Sequence, residues 1–357
     1  MLSLEVVTDV LKFRALKSEW NSLAATFGNP LYLHEWFDHC LTAFGEEADL
    51  KLLVARRDGV VRAIAPLIID RSESVPHLRF LTHPLNELMN GFLYADDASL
   101  TTVCAGVLRS GFPLSLRGLG VDSKDLQALC KSSWMKGLVL RRMKIAVASV
   151  RLHTDWKSIE TQMSSAYRSE IRRKRSAAER EGPIKFDVVS PTEENLDYYL
   201  SEAFRLEASG WKGRAGTAIL SVPKKKRFWR EFSLTAVRLG LLRLFFLQIG
   251  GINVAVTVAA EYAHRLWEYK IGYDERFARY APGILLTQET LRYATEQRLD
   301  AFEFLGQLEP WQQRWPIELR FRCTLRFYPV SIDGGLALGG DSAAFLSRLL
   351  HFPLHFH

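Results

Sequence analysis

The sequence has few cysteines and no apolar leader. Four cysteines occur among 357 residues, and none stands in a CxxC pair or at a metal-binding spacing, so the pattern favours a reducing compartment over a disulfide scaffold. The first residues, MLSLEVVTDVLKFRALKSEW, mix acids and bases, unlike the apolar core of a secretory signal. We therefore expect a cytoplasmic protein.

Common catalytic signatures are also missing. The nine histidines form no HExxH motif, and the chain holds no GxSxG elbow, Ser-His-Asp pattern or Walker phosphate loop. The sequence therefore predicts no metal and no covalent nucleophile.

The sequence also lacks an uninterrupted apolar run long enough to span a membrane. The longest apolar stretch, Gly240–Ala260, contains Arg243, Gln248 and Asn253 and is divided by a Gly-Gly pair. A bilayer span needs about 20 predominantly apolar residues. The stretch therefore predicts a β-hairpin that turns at the two glycines, and no transmembrane segment.

The composition is that of a basic globular protein. Hydrophobic residues make up 48% and charged residues 24%, the net charge is +7, and the length suggests two domains. A positive balance favours anionic partners such as phosphates, an acidic carrier protein, nucleic acid or anionic lipid. A basic protein with no special partner is the alternative.

The order of predicted elements repeats. A hairpin around Asp58-Gly59 is followed by a strand at 78–82, a helix at 99–110 and a strand at 114–119. A hairpin around Gly250-Gly251 is followed by a strand at 266–273, a helix at 282–297 and a strand at 301–305. The repeat predicts two α/β units with helices in front of each. We place domains at 1–145 and 146–330, then a tail at 331–357 whose stretch DGGLALGGDS predicts a turn or loop.

A basic helix is predicted at SAYRSEIRRKRSAAEREG, Ser165–Gly182. Helical spacing puts Arg168, Arg172 and Arg175 on one face, where guanidinium groups could hold phosphates bidentately. A solvated face balanced by nearby glutamates is the alternative. No base-reading side chains accompany the arginines, so we expect no DNA partner.

The stretch YKIGYDERFARYAPGILLTQETL, Tyr269–Leu291, predicts a strand, a basic loop and a helix. Proline suits the first helical turn because its missing N–H would lack a partner there, and Gly283 allows close approach of a ligand. The exposed N–H groups of a first turn favour an anion. The pattern predicts an anion site, although many such helix starts bind nothing.

Four patterns in residues 165–316 resemble a known family. They are YRSEIRRKRSAAEREG, EASGWKGRAG, GYDERFARYAPGILL and FEFLGQLEPWQQRW. Together they resemble the GNAT-fold acetyltransferase-like family that includes cellulose-biosynthesis accessory acetyltransferases, which is related to Fem-type aminoacyltransferases. The resemblance implies tandem GNAT-like units, each a mixed, mostly antiparallel sheet flanked by helices.

The resemblance also implies an activity and a site. It implies transfer of an acyl group from acyl-CoA, or acyl carrier protein, to an amine or hydroxyl, with a role in polysaccharide or cell-envelope biosynthesis. The residues it implies for catalysis are Glu268, Tyr273, Asp274 and Glu303. Those implied for binding the donor are Arg279, Tyr280, Ala281, Gly283 and Ile284. Those implied for binding the acceptor are Arg168, Arg172, Trp211, Lys212, Arg214, Trp311 and Gln312.

Each of these positions has a structural alternative. Glu268 could be an exposed strand residue, Asp274 a turn cap, and Glu303 the partner of an arginine. The aromatic residues could be core. The family tends to have Asp at position 303 and Tyr-Lys at 311–312, and its Gly-rich phosphate loop is degenerate here. The alternative functions are a non-catalytic accessory protein and a Fem-like aminoacyl-tRNA-dependent transferase, although no long heptad insertion for tRNA is present.

Overall fold

A computed structural model describes residues 1–45, 49–82, 89–152 and 155–350, with side chains except those at 143, 144, 211, 212 and 348–350. Its contacts divide the chain into two compact units. The first consists of Met1–Phe27, Leu31–Ile145 and the chain from Phe321 onward, and the second of Gly28–Pro30 and Ala146–Arg320. The domain limits 1–145, 146–330 and 331–357 stay predictions.

The first unit begins with a strand and three helices. Its strands are β1 (Leu2–Val7), β2 (Leu52–Arg57), β3 (Val60–Ala65), β4 (Leu67–Asp70), β5 (His77–Phe80), β6 (Leu93–Tyr94) and β7 (Leu114–Gly120). Its first five helices are α1 (Val10–Ala15), α2 (Lys17–Ala24), α3 (His34–Phe44), α4 (Asp97–Arg109) and α5 (Lys124–Ser132). Strands β8 (Gly137–Arg151) and β14 (Ile317–Pro329) contribute residues to both units.

Two sheets form in the first unit. One has the order β1-β2-β3-β6 and is antiparallel, with β2 and β3 joined across Asp58-Gly59. The other contains β4, β5, β7 and the later part of β14. There β5 and β7 are parallel through the pair Leu78↔Leu114, and α4 lies between them in the chain. The predicted hairpin, strand, helix and strand are all present.

The second unit holds the rest of the chain. Its strands are β9 (Ile184–Val189), β10 (Leu242–Ile249), β11 (Ile252–Tyr262), β12 (Arg265–Tyr273) and β13 (Ala301–Phe304). Its helices are α6 (Trp156–Gln162), α7 (Ser165–Glu179), α8 (Leu196–Ala208), α9 (Trp211–Arg214), α10 (Pro223–Arg238) and α11 (Pro282–Glu296). Within this unit the strand order is β9-β10-β11-β12-β13-β8, with β12 and β13 as the parallel pair.

Helices cover both faces of this second sheet. On one face α7 and α11 pack through a core that includes Ile171, Leu285 and Leu286. On the other face α10 places Trp229 and Phe232 against Tyr269, with ring centroids 5.9 and 5.4 Å apart. Helix α8 touches β12 on that face, because a Cβ at Gly272 would lie 2.6 Å from Glu207 Cα. Only glycine fits there.

A β-bulge in β12 interrupts the alternation of its side chains between the two faces of the sheet. Val258 pairs with Lys270 and Ala259 pairs with Glu268, so Tyr269 is an extra residue. The sequence pattern predicts Glu268 and Lys270 on one face and Ile271 and Tyr273 on the other. That prediction is wrong, because a bulge moves every later side chain to the opposite face.

The glycine-rich stretch after Pro329 is helical, so the predicted loop is wrong. Helix α12 spans Ile332–Leu350, and residues 351–357 of the predicted tail lie outside the described residues. A Cβ at Gly334 would lie 1.9 Å from the Pro329 carbonyl oxygen. Glycine therefore permits the close packing at the start of this helix, and the low helix propensity of glycine did not decide the local structure.

The mixed α/β class with helix-flanked, mostly antiparallel sheets is confirmed. The apolar stretch at Gly240–Ala260 forms the predicted hairpin of β10 and β11. Among the residues described here, no helix is both long and apolar enough to cross a bilayer.

Candidate functional site

The parallel pair in the second unit ends before β12 does. Four register pairs join the two strands, from Arg265↔Ala301 to Glu268↔Phe304. Strand β13 stops at Phe304, whereas β12 continues for five residues to Tyr273. After Phe304 the chain leaves β12, and the Leu308 amide donates to the Ala146 carbonyl at 2.9 Å. The last residues of β12 therefore extend beyond β13.

Helix α11 starts next to this extension of β12. Ala281 precedes it in the left-handed conformation, with φ 52° and ψ 53°, and Pro282 opens the helix without a side-chain cap. A Cβ on Gly283 would lie 3.5 Å from Tyr273 Cδ1 and 3.9 Å from Ile271 Cδ1. The helix start, Ile271 and Tyr273 thus share one face of the sheet.

The amides at this helix start are partly used by the protein itself. Ala281 N–H donates to the Ala278 carbonyl at 2.9 Å, and Ile284 N–H donates back to the Ala281 carbonyl at 3.0 Å. Within the described chain, the Gly283 N–H has no acceptor. The sequence pattern predicts exposed N–H groups in the first turn of this helix, and that of Gly283 is the one that remains available to a ligand.

Positive charge lies close to this helix start. The Lys174 ammonium of α7 donates to the Arg279 carbonyl at 2.6 Å. The Arg279 guanidinium lies 4.6 Å from the Tyr280 ring centroid and pairs with Glu181 at 3.0 Å. That ion pair is exposed, so it can be exchanged for another anion at low cost. Burial raises the pKa of Tyr280 above its ordinary value, which makes its hydroxyl a weaker acid.

Glu303 is held by arginines. Its carboxylate is 1% exposed and accepts from Arg265 at 2.5 Å and from Arg320. Only the carboxylate is buried, because the two arginine side chains are 40% and 39% exposed. The arrangement is that of a structural ion pair, and it does not suit the predicted general base.

Asp274 caps the turn that follows β12. Its side chain accepts from the Arg276 amide at 3.0 Å, and the Arg276 guanidinium approaches the same carboxylate at 2.6 Å. The hydrogen bond and charge of Arg276 lower the pKa of Asp274. A general base needs a raised pKa, so this geometry argues for the capping role.

Glu268 occupies the last rung of the parallel ladder. It is 5% exposed and pairs in register with Phe304 of β13 and Ala259 of β11. Ala259 belongs to the core between the sheet and α11. Glu268 therefore lies on the face that carries Ile271, Tyr273 and the helix start, where the exposed Tyr273 is the nearest predicted proton donor along the strand.

Three of the predicted acceptor-binding residues have structural partners. The Arg168 guanidinium donates to the Glu160 and Met163 carbonyls at 3.0 and 3.1 Å, and so closes the C-terminus of α6. The Gln312 side chain is buried and accepts from the Glu309 amide at 2.8 Å. Arg214 pairs with Glu275. Acceptor binding by these residues stays a prediction.

The remaining acceptor-binding positions differ in exposure. Arg172 is exposed and donates to Ser169 Oγ at 3.1 Å. The Trp311 ring packs edge-on against Phe304 at 5.5 Å between centroids. The side chains of Trp211 and Lys212 lie outside the described residues.

A set of buried polar atoms around α7 and α11 could not be recognised from the sequence. Tyr167 and Trp315 are in edge contact, with centroids 5.4 Å apart, and share a core with Tyr280. Within the described part of the chain, the Tyr167 hydroxyl, the Trp315 Nε1 and Thr257 Oγ1 are buried without a hydrogen-bond partner. A buried polar group without a partner costs about 1–3 kcal/mol. Alternation and helical spacing mark such residues only as core.

No metal centre is evident in the described ranges. Within residues 1–45, 49–82, 89–152 and 155–350, no three His, Cys, Asp or Glu residues are placed to hold a metal ion.

Comparison with known families and structures defines the class of fold. Residues 165–313 match the model of the GNAT acetyltransferase domain. FemX has the same fold at a TM-score of 0.60 and 12% identity, covering 88% of this chain and 96% of FemX. No curated protein sequence matches the chain.

Two further solved structures share the fold. The C-terminal domain of an Agrobacterium fabrum protein assigned as a lysylphosphatidylglycerol synthetase gives a TM-score of 0.55 at 10% identity, covering 92% and 96% of the two chains. L-PGS from Bacillus licheniformis gives 0.53 at 13% identity, covering 94% and 96%. The chain thus has a GNAT fold related to that of Fem-type transferases, as the sequence motifs imply.

Proposed function

We propose that this protein is a transferase that moves an acyl group from acyl-CoA, or from acyl carrier protein, to an amine or hydroxyl acceptor. The observation that carries the proposal is the uncapped start of α11, whose Gly283 amide has no acceptor in the described chain. It lies against the extension of β12 within the segment that matches the GNAT domain.

The donor's phosphate suits this helix start. An amide without a partner, on the positive end of the helix dipole, favours an anion. Lys174 and Arg279 add positive charge from α7 and from the turn before the helix. The acyl chain would follow β12 past β13, where an extended ligand finds strand backbone beside it.

Glu268 is the carboxylate best placed to act as the base. It lies on the same face of the sheet as Ile271, Tyr273 and the start of α11. Glu268 would take the proton of the acceptor amine or hydroxyl as its nitrogen or oxygen bonds to the thioester carbon. The carbon–sulfur bond then breaks, and the thiolate takes up the proton that Glu268 has accepted.

The acceptor is proposed from the motif resemblance. Cellulose-biosynthesis accessory acetyltransferases point to an amine or hydroxyl of a glycan precursor. Arg172 is exposed on α7 and available to an anionic group of such a precursor.

Binding of the donor is tested by thermal unfolding with CoA, acetyl-CoA and palmitoyl-CoA. A ligand at one hundred times its Kd stabilises the folded state by about 2.7 kcal/mol. We expect this stabilisation to disappear in Gly283→Trp, whose indole fills the space beside Tyr273. It should persist in Gly283→Ala, because a Cβ there meets only ordinary contacts at 3.5 Å.

The outcome also separates the alternatives. An unchanged melting temperature with every thioester would contradict the donor site and favour a non-catalytic accessory protein. If CoA stabilises the protein, release of free thiol with candidate amines and glycan precursors then identifies the acceptor.

Aminoacyl transfer is a second candidate. The fold similarity to FemX and to two lysylphosphatidylglycerol synthetase structures favours it. Incubation with radiolabelled aminoacyl-tRNA distinguishes the two functions. Transfer of label from tRNA, together with no response to CoA, would replace the acyl-CoA proposal.

A further inference from the structure

The first unit exposes an apolar surface far along the chain from the α11 site. Trp134 and Met135, which follow α5, are 80% and 88% exposed, and Val330 and Ile332, around the start of α12, are 85% and 83% exposed. The Val330 amide donates to the Lys136 carbonyl at 3.1 Å, which brings the two segments together. We call these four residues the apolar tip.

A tight turn presents the first half of the apolar tip. The Lys136 amide donates to the Ser133 carbonyl at 2.9 Å, so Trp134 and Met135 are the two central residues of the turn. Met135 has φ 59°, a conformation that costs a methionine energy and that glycine adopts readily. Two large apolar side chains therefore stand at a position where small polar residues or glycine would stabilise the fold better.

The second half of the apolar tip continues into α12, a helix that also exposes apolar side chains. Leu336, Phe345 and Leu346 of α12 are exposed as well. Its described side chains from Ile332 to Ser347 include only two charged groups, Asp333 and Asp341. Several large apolar side chains exposed on one helix and on the turn beside its start mark a site of contact with a partner or a membrane.

The charge around this turn indicates the chemistry of the partner. From Leu126 to Arg142 the sequence has four basic residues and no acid: Lys131, Lys136, Arg141 and Arg142. Lys131 and Arg141 are exposed, and Arg141 lies 3.3 Å from Cys130 Sγ at the end of α5. The segment that carries the exposed indole is therefore basic.

We propose that the apolar tip docks on the surface of an anionic lipid bilayer. A projecting turn can enter the headgroup layer, where tryptophan is favoured because its ring is apolar and its N–H remains hydrated. Lysines beside it are attracted to anionic headgroups. Apolar insertion plus basic attraction gives reversible peripheral binding, without a transmembrane segment.

The test is flotation of the full-length protein with vesicles of phosphatidylcholine alone or of phosphatidylcholine with phosphatidylglycerol. We expect binding to the anionic vesicles that weakens as salt rises, because exposed charges are screened. The double variant Trp134→Ser with Met135→Gly should bind at least about tenfold more weakly, since it removes the inserted side chains. Glycine at 135 keeps the turn conformation, so this variant should fold.

Matched controls are available elsewhere on the surface. Leu11 and Tyr198 are 75% and 73% exposed, and Leu11→Ser or Tyr198→Ser should bind vesicles like the wild type. Quenching of tryptophan fluorescence by brominated phospholipid gives a second readout. Trp134→Phe should remove most of this quenching, although eight of the nine tryptophans remain.

Three outcomes would overturn the proposal. The wild type floats with neither vesicle, or the double variant floats as well as the wild type, or the double variant abolishes a dimer seen by light scattering without changing flotation. The last result would assign the apolar tip to self-association. The vesicle assay needs no acyl donor, so its failure is distinct from failure of the transferase proposal.

Discussion

The two units contain the same strand, helix and strand in succession, but their helices begin differently. In the first unit, Asp96 caps α4 by accepting from the Ser99 amide and hydroxyl, both at 2.8 Å, and it pairs with Arg62 at 3.0 Å. In the second unit, α11 begins at Ala281 and Pro282 with no side-chain cap. One helix start already holds a carboxylate, and the other is open to an anion from outside.

This difference favours the second unit for the proposed donor site. The hydrogen bonds from Ser99 lower the pKa of Asp96 to about 2, so the anion at α4 is permanent at neutral pH. The parallel pairing differs as well, with one register pair between β5 and β7 but four between β12 and β13. Two units with the same fold therefore need not both have an anion site, because a single capping side chain can occupy the helix start in one of them.

The largest effect is expected from Glu268→Gln, in the segment with the open helix start. Glutamine keeps the shape but cannot accept the acceptor's proton, and loss of a general base lowers kcat by about 10² to 10⁴. Thiol release at saturating acyl-CoA measures it, with the CoA-induced thermal shift as the control for folding. Unchanged turnover would remove Glu268 from the mechanism.

Glu303→Gln should affect stability and not chemistry. Loss of a charge-assisted hydrogen bond costs about 1–3 kcal/mol, because Glu303 is 1% exposed whereas Arg265 and Arg320, 40% and 39% exposed, stay hydrated. Urea unfolding measures the loss. Turnover per folded molecule should match the wild type, and a stable variant with low turnover would reverse the roles of Glu268 and Glu303.

Ala281→Asp would give α11 the kind of cap that α4 has. Aspartate tolerates the left-handed conformation and can accept from first-turn amides, while its charge repels a phosphate. We expect CoA to bind about tenfold more weakly, a free-energy change of about 1.4 kcal/mol. Ala281→Asn caps without the charge and should weaken binding less. Equal Kd values for Ala281→Asp and wild type would show that the phosphate binds elsewhere.

Asp96→Ala should have the smallest effect, a loss of about 1 kcal/mol of stability at neutral pH with no change in CoA binding. The pKa of this carboxyl is lowered from 3.8 to about 2 in the folded state. Its stabilisation is therefore complete above pH 3.8 and is lost as the pH falls through about 2. Urea unfolding of both proteins between pH 7 and 2 should show the difference shrinking with acid. A difference that grows with acid would contradict the cap.

Much of the second unit could be predicted from local patterns. The two glycines at 250 and 251 require a turn, and strands β10 and β11 meet there. Pro282 requires a helix start within a residue of its position, and α11 begins at Pro282. Such features depend on backbone conformations that proline and glycine set by themselves.

The directions of side chains and the hydrogen-bond partners of backbone amides were harder to predict from the sequence. The bulge at Tyr269 reverses the later part of β12, and alternation carries no sign of it. Gly334 and its neighbours form a helix because the chain packs closely at Pro329, against their local propensity. The amides of Ala281 and Ile284 were expected to be open and are partly satisfied within the turn.

The sequence by itself determined the element order, the hairpin at Gly240–Ala260 and the position of the helix start after Ala281, because turn chemistry and apolar periodicity act within a few residues. Tertiary structure decided which carboxylate is held by arginines, which face Glu268 occupies and which helix start is capped. Those outcomes depend on residues distant in sequence, such as Glu303 with Arg265. A burial or pairing energy of this kind exists only once the strands have assembled.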